Sequence, residues 1–537
     1  MNHFKLLNIS HISCLVLEKI EHTIKVSFVL FMLLSMVFIT ACGGGSETVL
    51  EIEPPAITEP DPIVEGTNLS QLAFLTVHNP DLNNDIYLNI NNNLITGRVG
   101  SNAGVDGLVA TFTHDGAEIN VNDVIQENSS TANDFTNIVT YTVKTSAGSQ
   151  ESYQVDLTKF TGLPIVYLST NNGASIESKE DYVAGSVLLD GGRHVDSMPQ
   201  AAMKIRGRGN STWYTHPKKP FQMKFDNKTS FLDMPADKKW LFLAEYSDKT
   251  MLRNRIAFEM GYISQLDWTP QSAFAEVYLN EEYNGTYNIT QKVEVSNNRL
   301  ALGDAGYLLE IDQLDRLDAD DVYFYTGNFL INIKEPELDL GSTEYNYVKN
   351  LLNEFETVLH SAQFTDPASG YAKYIDIYSF IDWFLISEIT KNVDSKFYSS
   401  IYLNVIPGEK IKMGPLWDFD LSFGNVDYAD SQYATGFWVK DHPWYTRLFQ
   451  DPEFVDKINE RFAYFRNNQN YILDKIDQQA NALKWAQQEN DNRWQTIGVY
   501  VWPNPVVFST YGEEVAHLKS WYIKRMNWLE SAFNNLK

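Results

Sequence analysis

Three short segments of this chain hold residue types that could bind and transfer a charged group. The first, Arg206-Gly207-Arg208-Gly209-Asn210-Ser211-Thr212-Trp213, lies between strand-like runs at Met203–Ile205 and Lys218–Phe225. Two glycines let backbone N–H groups approach an anion closely, and arginine and lysine supply positive charge to it. A plain turn with solvated lysines uses the same residues. The second, Glu388–Ser395, puts Asn392 and Asp394 at the end of an apolar helical run, where helix capping is the competing role. The third, Met413–Asn425, sets Asp418 and Asp420 among aromatic residues. Carboxylates in such company are costly unless each has a partner or a cation, and paired carboxylate oxygens are what Mg²⁺ takes together with phosphate oxygens. The competing role is a turn whose aspartates accept backbone hydrogen bonds.

The elements that must position these residues can be read from periodicity. From Leu163 the chain reads as mixed α and β. LPIVYLST, AMKIRGRG, FQMKF, KWLFLAEY, FAEVYLN, TYNITQKV and GYLLEID are strand-like, and Leu252–Met260, Tyr345–Leu359 and Phe380–Ile389 are helix-like. In Glu513–Phe533, Val515, Leu518, Tyr522 and Leu529 share one face at helical spacing. Residues 69–161 differ. Short β-rich runs such as Tyr153-Gln154-Val155-Asp156-Leu157 alternate between Asn-, Asp- and Gly-rich turns, and this predicts a β-sandwich, which resembles the immunoglobulin-like modules that serve as spacers.

The chain has 537 residues, with 42 Lys+Arg against 69 Asp+Glu and a formal charge of −27. So acidic a chain without a basic patch excludes a nucleic-acid binder. Hydrophobic content of 44% marks folded protein, and two cysteines, Cys14 and Cys42, exclude a disulfide scaffold or a Cys-rich zinc site. The histidines His216, His442 and His517 are scattered without metal-ligand spacing, and no Gly-x-Ser-x-Gly elbow occurs. Val26–Ala41 is an uncharged apolar run below Lys19 and Lys25, followed at once by Cys42 and a glycine run. It resembles the signal peptide and lipobox of a bacterial lipoprotein over residues 1–41. The expectation is a lipidated Cys42 and a Pro/Glu/Gly-rich tether over 42–68, with the protein held on a membrane from outside the cytoplasm. Gly43 resembles outer-membrane sorting if the source is Gram-negative.

KIRGRGNSTW, KKPFQMKFD, KKWLFLAEYSDKTMLRNRIAFEMG, VYLNEEYNGTYNITQKVE, GYLLEID, SEITKNVDS and GPLWDFDLSFGN, in this order over about 163–537, resemble the CotH kinases. The resemblance implies an α+β, atypical protein-kinase-like domain over 162–537, behind the small all-β domain. It also implies ATP and Mg²⁺ (or Mn²⁺) as cofactors, and phosphorylation of Ser or Thr in exported or surface proteins. By the same resemblance Asp394 is the catalytic aspartate and Asp418 the metal aspartate, 24 positions later. Asn392 is a further metal contact, and Asp420, standing where a DFG motif has glycine, is either a second metal ligand or a structural acceptor. Arg206, Arg208 and Asn210 form the phosphate loop, and Lys224, with Lys204 and Lys219 as rivals, neutralises phosphate. Glu259, with Glu276 and Glu294 as alternatives, pairs with that lysine. The rival reading is a surface adhesin or binding protein that keeps the fold without turnover.

Overall fold

The structure is a computed structural model that describes residues 64–536. The expected leader, Cys42 and nearly all of the tether lie outside the described residues. Among these residues no helix is long and apolar enough to cross a membrane.

Alternating side chains build the first module. In Val139–Lys144 the residues Val139, Tyr141 and Val143 are buried and Thr140 is exposed. Such a strand has one face to bury, and it does so between two sheets. Six strands run Asn89–Asn91, Leu94–Val99, Gln150–Lys159, Val139–Lys144, Glu118–Val121 and Val124–Ile125. Three more run Ile86–Tyr87, Leu69–Phe74 and Thr111–His114. Leu72, Phe74, Ile95, Tyr141 and Val155 fill the space between them. Leu94–Val99 pairs in parallel with Gln154–Lys159.

The second module opens with a barrel of seven strands. These are β1 (Ile165–Thr170), β2 (Val183–Asp190), β3 (Met198–Gly207), β4 (Phe221–Phe231), β5 (Met234–Leu243), β6 (Ser272–Leu279) and β7 (Glu282–Gln291). The order is β1-β2-β3-β4-β5-β7-β6, and β6 closes on β1 in parallel, leaving no free edge. Val166, Ile205, Met223, Trp240, Phe242 and Ile289 fill the interior.

A five-stranded sheet comes next. Its strands are β8 (Tyr307–Ile311), β9 (Val322–Tyr325), β10 (Leu330–Glu335), β11 (Ile401–Val405) and β12 (Lys412–Met413), in the order β9-β10-β8-β11-β12. The helices are α1 (Ser211–Thr215), α2 (Arg253–Tyr262), α3 (Thr343–Leu359), α4 (Ile377–Thr390), α5 (Pro443–Leu448), α6 (Pro452–Asn467), α7 (Gln469–Ala482), α8 (Ala486–Trp494) and α9 (Tyr511–Asn534). The fold is thus α+β with an all-β module in front. Helix α4 is buried from Ser379 to Thr390, as an all-round apolar helix must be. Asp376 caps its start by accepting from the Ser379 N–H at 2.8 Å. Lys391 ends it in the left-handed conformation at φ 46°.

Three buried charges anchor the chain beyond α4. Arg525 of α9 pairs with Glu388 of α4, and both side chains are fully buried. The Glu388 carboxylate accepts from the N–H groups of Trp438 (2.6 Å), Val439 (2.7 Å) and Lys440 (3.1 Å). Lys391 Nζ donates to the carbonyls of Asp430, Tyr433 and Thr435 at 2.8–3.0 Å. The loop at 430–440 is thereby held on the end of the helix that delivers Asn392 and Asp394.

Candidate functional site

The segment after β3 turns sharply because its glycines admit what a side chain would not. A Cβ on Gly207 would lie 2.4 Å from the Trp213 ring, and Gly209 sits at φ +80°. Gly207 thus serves indole packing and Gly209 serves the turn, and together they set Arg206 and Arg208 on one cavity wall. Arg208 lies over the Trp417 ring at 5.5 Å, where burial lowers its pKa and Asp418 and Asp420 oppose that shift. Arg206 lies over the Tyr182 ring at 4.9 Å, and its buried Nε–H has no acceptor. Asn210 Oδ1 accepts from Lys179 at 3.1 Å.

The opposite wall comes from the end of α4 and the loop after β12. Asn392 accepts from the Asp394 N–H at 3.3 Å through Oδ1 and donates through Nδ2 to the Asp418 carbonyl at 2.9 Å. One amide therefore ties the two aspartate segments together. Trp438 Nε1–H donates to the Asn392 carbonyl at 2.8 Å. Asp418 takes a left-handed backbone, φ 65°, which aspartate tolerates better than most residues. Phe419 N–H beside it donates to Asn254 Oδ1 at 2.7 Å, and the same Asn254 donates to Glu245 at 3.2 Å.

These walls enclose a cavity of about 840 Å³ whose lining includes Arg206, Arg208, Asn210, Asp394, Asp418 and Asp420. Asp394 is raised to about 7 by burial first and then by the charge of Asp418, with Arg316 opposing. Asp420 is raised well above its ordinary value by burial, then by Asp418, Glu245 and Asp394. Ser400 Oγ stands 3.4 Å from Asp418 Oδ2. Like charges gathered in one cleft favour a cation between them.

The CotH kinase protein family model matches residues 205–529. The chain belongs to this family. A second family model, SGBP, N-terminal, matches residues 78–157 within the β-sandwich. No curated protein matches the chain. Among solved structures, a chain from Bacteroides thetaiotaomicron whose description names a glycoside hydrolase is 12% identical and covers 49% of this chain and 82% of its own length. Its TM-score of 0.13 is too low to bear on fold or chemistry.

Within this CotH kinase domain not every residue expected at the site reaches the cavity. Lys224 stands in register opposite Lys204 and Lys239 on the two neighbouring strands of the barrel wall, two positions beyond the cavity-lining Gln222. It is on the right face but about 7 Å too far along the strand. Lys219 caps α1 by donating to the carbonyls of Trp213 and His216, both at 2.7 Å. Glu259 is engaged by Arg255 at 2.8 Å and by the Tyr471 hydroxyl at 3.0 Å, away from the cavity. Glu276 is held by Thr161, Tyr283 and Thr286. Asn392 acts through backbone contacts, and the cavity lining does not include it.

The cavity draws instead on residues that local pattern does not mark: Lys292, Glu310, Asp312, Arg316 and Lys334. Lys292 is lowered to about 8 by burial and by Lys239, and it stands 3.9 Å from Glu294. Lys334 and Glu310 pair at 3.6 Å, and burial raises Glu310 to about 7. Lys292 comes directly after TYNITQ, and Glu310 lies inside GYLLEID, so both stand in segments that carry the family resemblance. The missing information is which strand ends meet when the barrel closes beside the second sheet.

Among the described residues, no three His, Cys, Asp or Glu side chains form an all-protein metal cage. Mg²⁺ seldom needs one, because it commonly takes one or two carboxylates and completes its shell with water and substrate phosphate. Asp418 and Asp420, on one cavity wall with a raised Asp420, fit that use.

Proposed function

We propose that this protein transfers the terminal phosphate of ATP to a Ser or Thr hydroxyl of an exported or surface protein. The observation that carries the reading is the convergence of Asp394, Asp418 and Asp420 with Arg206 and Arg208 on one cavity. Arg206 and Arg208 hold phosphate oxygens, with Arg208 set between the Trp417 ring and the acidic wall. Asp418 and Asp420 hold Mg²⁺ or Mn²⁺, which when bound neutralises the charge on the phosphates. Asp394 orients the acceptor hydroxyl and takes its proton as the oxygen bonds to phosphorus and ADP leaves. With a pKa of about 7, its carboxyl is suited to gain and lose a proton near neutrality.

The proposal includes the address. Acyl chains on Cys42 hold the protein on a membrane from outside the cytoplasm, with the 42–68 tether joining that anchor to the folded residues. The test is to incubate protein beginning after the tether with labelled ATP and Mg²⁺ or Mn²⁺, beside Asp394→Asn and Asp418→Asn. Metal-dependent label transfer that both substitutions abolish supports the reading. No nucleotide binding by calorimetry ends it.

A further inference from the structure

Aromatic side chains run through the cavity lining, and most of their faces are taken. Arg208 lies over Trp417 at 5.5 Å, Arg316 over Tyr398 at 4.6 Å and Lys396 over Trp438 at 4.6 Å. Tyr428 and Trp502 also line the cavity, and they stack on each other at 5.9 Å and 14°. Among the described residues neither ring carries a cation. Both remain exposed, Tyr428 at 54% and Trp502 at 40%.

The pair is held in place from behind. Asn504 donates to the Ser247 carbonyl at 2.7 Å and to Asn425 Oδ1 at 2.8 Å. The Tyr500 hydroxyl donates to Asp427 at 2.7 Å, next to Tyr428. The Gly498 N–H donates to the Phe508 carbonyl at 3.0 Å and closes the loop that carries Trp502. A loop fixed at both ends, with its largest ring left in water, is organised in advance for a ligand. Tyr428 feels the catalytic end directly: burial, then Asp394 and Asp420, raise its hydroxyl to about 12.

We infer that Tyr428 and Trp502 form the acceptor subsite, where an apolar or aromatic side chain of a polypeptide rests while a neighbouring hydroxyl faces Asp394. The surroundings favour a polypeptide over a sugar ring. Val499, Val506 and Val507, exposed aliphatics on the same loop outside the cavity lining, extend apolar surface along the chain that carries Trp502, and the Asp427 carboxylate next to Tyr428 in sequence is engaged by Tyr500. A sugar needs a fence of free donors and acceptors beside its stacking face, whereas a peptide side chain needs apolar area.

This inference rests on the phosphotransfer reading for its consequence, so its test uses binding as well as turnover. Soluble protein from residue 64 onward is applied to an array of Ser-centred peptides in which each flanking position is in turn Ala, Leu or Trp. A matching array of immobilised neutral oligosaccharides and an ATP–Mg²⁺ calorimetric titration run beside it. The expected result is retention of peptides with Leu or Trp at one defined offset. Trp502→Ala and Tyr428→Ala should weaken it about tenfold or more, Trp502→Phe should restore most of it, and ATP affinity and melting temperature should hold. Equal retention by the Ala variants, no peptide retention by the unaltered protein, retention on oligosaccharides instead, or a matching loss of ATP affinity would each overturn it. Peptide retention that depends on Trp502 without any ATP binding would leave the subsite standing and remove the phosphotransfer reading.

Discussion

Under the proposed phosphotransfer, Asp394 takes the proton and Asp418 the metal, so the two should fail differently when altered. Asp394→Asn should lower label transfer by about 10³-fold while leaving ATP–metal affinity close to that of the unaltered protein. Asp418→Asn should remove both, and calorimetry beside a transfer assay separates the two. Lys224→Ala should leave nucleotide affinity unchanged, since Lys224 lies beyond Gln222 on its strand. A marked loss on that substitution would contradict this place for Lys224 on the barrel wall. Local pattern locates the residues whose segment enters the cavity directly: Arg206, Arg208 and Asn210 in one turn, Asp418 and Asp420 in another. It misplaces Lys224 and Glu259 because strand distance and helix face are set by neighbours. Lysines recur on adjacent barrel strands, and only the closed register shows that Lys292 reaches the cavity.

At the scale of elements, helices α2, α3, α4 and α9 are legible in the sequence because their apolar spacing demands a buried face; α3, α4 and α9 extend the expected span by a few residues, and α2 begins one residue after its expected start and ends two beyond its expected end. The barrel closure is not legible, since the parallel β1–β6 pairing joins residues 165–168 to 276–279 with no local signal. Two elements carry testable strain or charge. Gly207→Ala drives a methyl into the Trp213 ring and should cost about 1–3 kcal/mol, read as a lower denaturant midpoint. Arg525→Met leaves the Glu388 carboxylate buried without its cation, so the loss should be about 3–5 kcal/mol. The same change loosens the 430–440 loop, so the turnover number should fall with little change in ATP affinity. Chemical denaturation and a kinetic split check both parts.

For the molecule as a whole, the acidic cleft makes stability depend on pH and on metal. The folded pKa values of Asp394 (about 7), Glu310 (about 7) and Glu245 (about 8) lie above their ordinary carboxyl values. At these three carboxyls the folded state holds more protons than the unfolded one between roughly pH 4 and 8, which lowers stability as pH rises, while His216 and His442, lowered by burial to about 4 and about 3, oppose the trend at the acid end of that window. Metal-free protein should melt higher at pH 5.5 than at pH 8. Asp394→Asn should flatten part of that slope, and Mg²⁺ with ATP should raise the melting temperature more at pH 8 than at pH 5.5. A pH-independent melt would contradict the acidic cluster. The two family matches treat 78–157 and 205–529 as separate pieces, but the physical join is firm. Arg193 donates to the Thr136 carbonyl at 2.8 Å and pairs with Asp156, and Lys159 pairs with Asp190 at 2.7 Å. Thr161 lends its hydroxyl to the buried Glu276 at 2.7 Å. A protease should therefore find no seam between sandwich and barrel. A chain trimmed to begin at Leu163 would take from the buried Glu276 one of its three hydroxyl donors and leave only Tyr283 and Thr286 to hold it, so the spacer would prove to be a structural partner of the barrel and not a mere carrier of it.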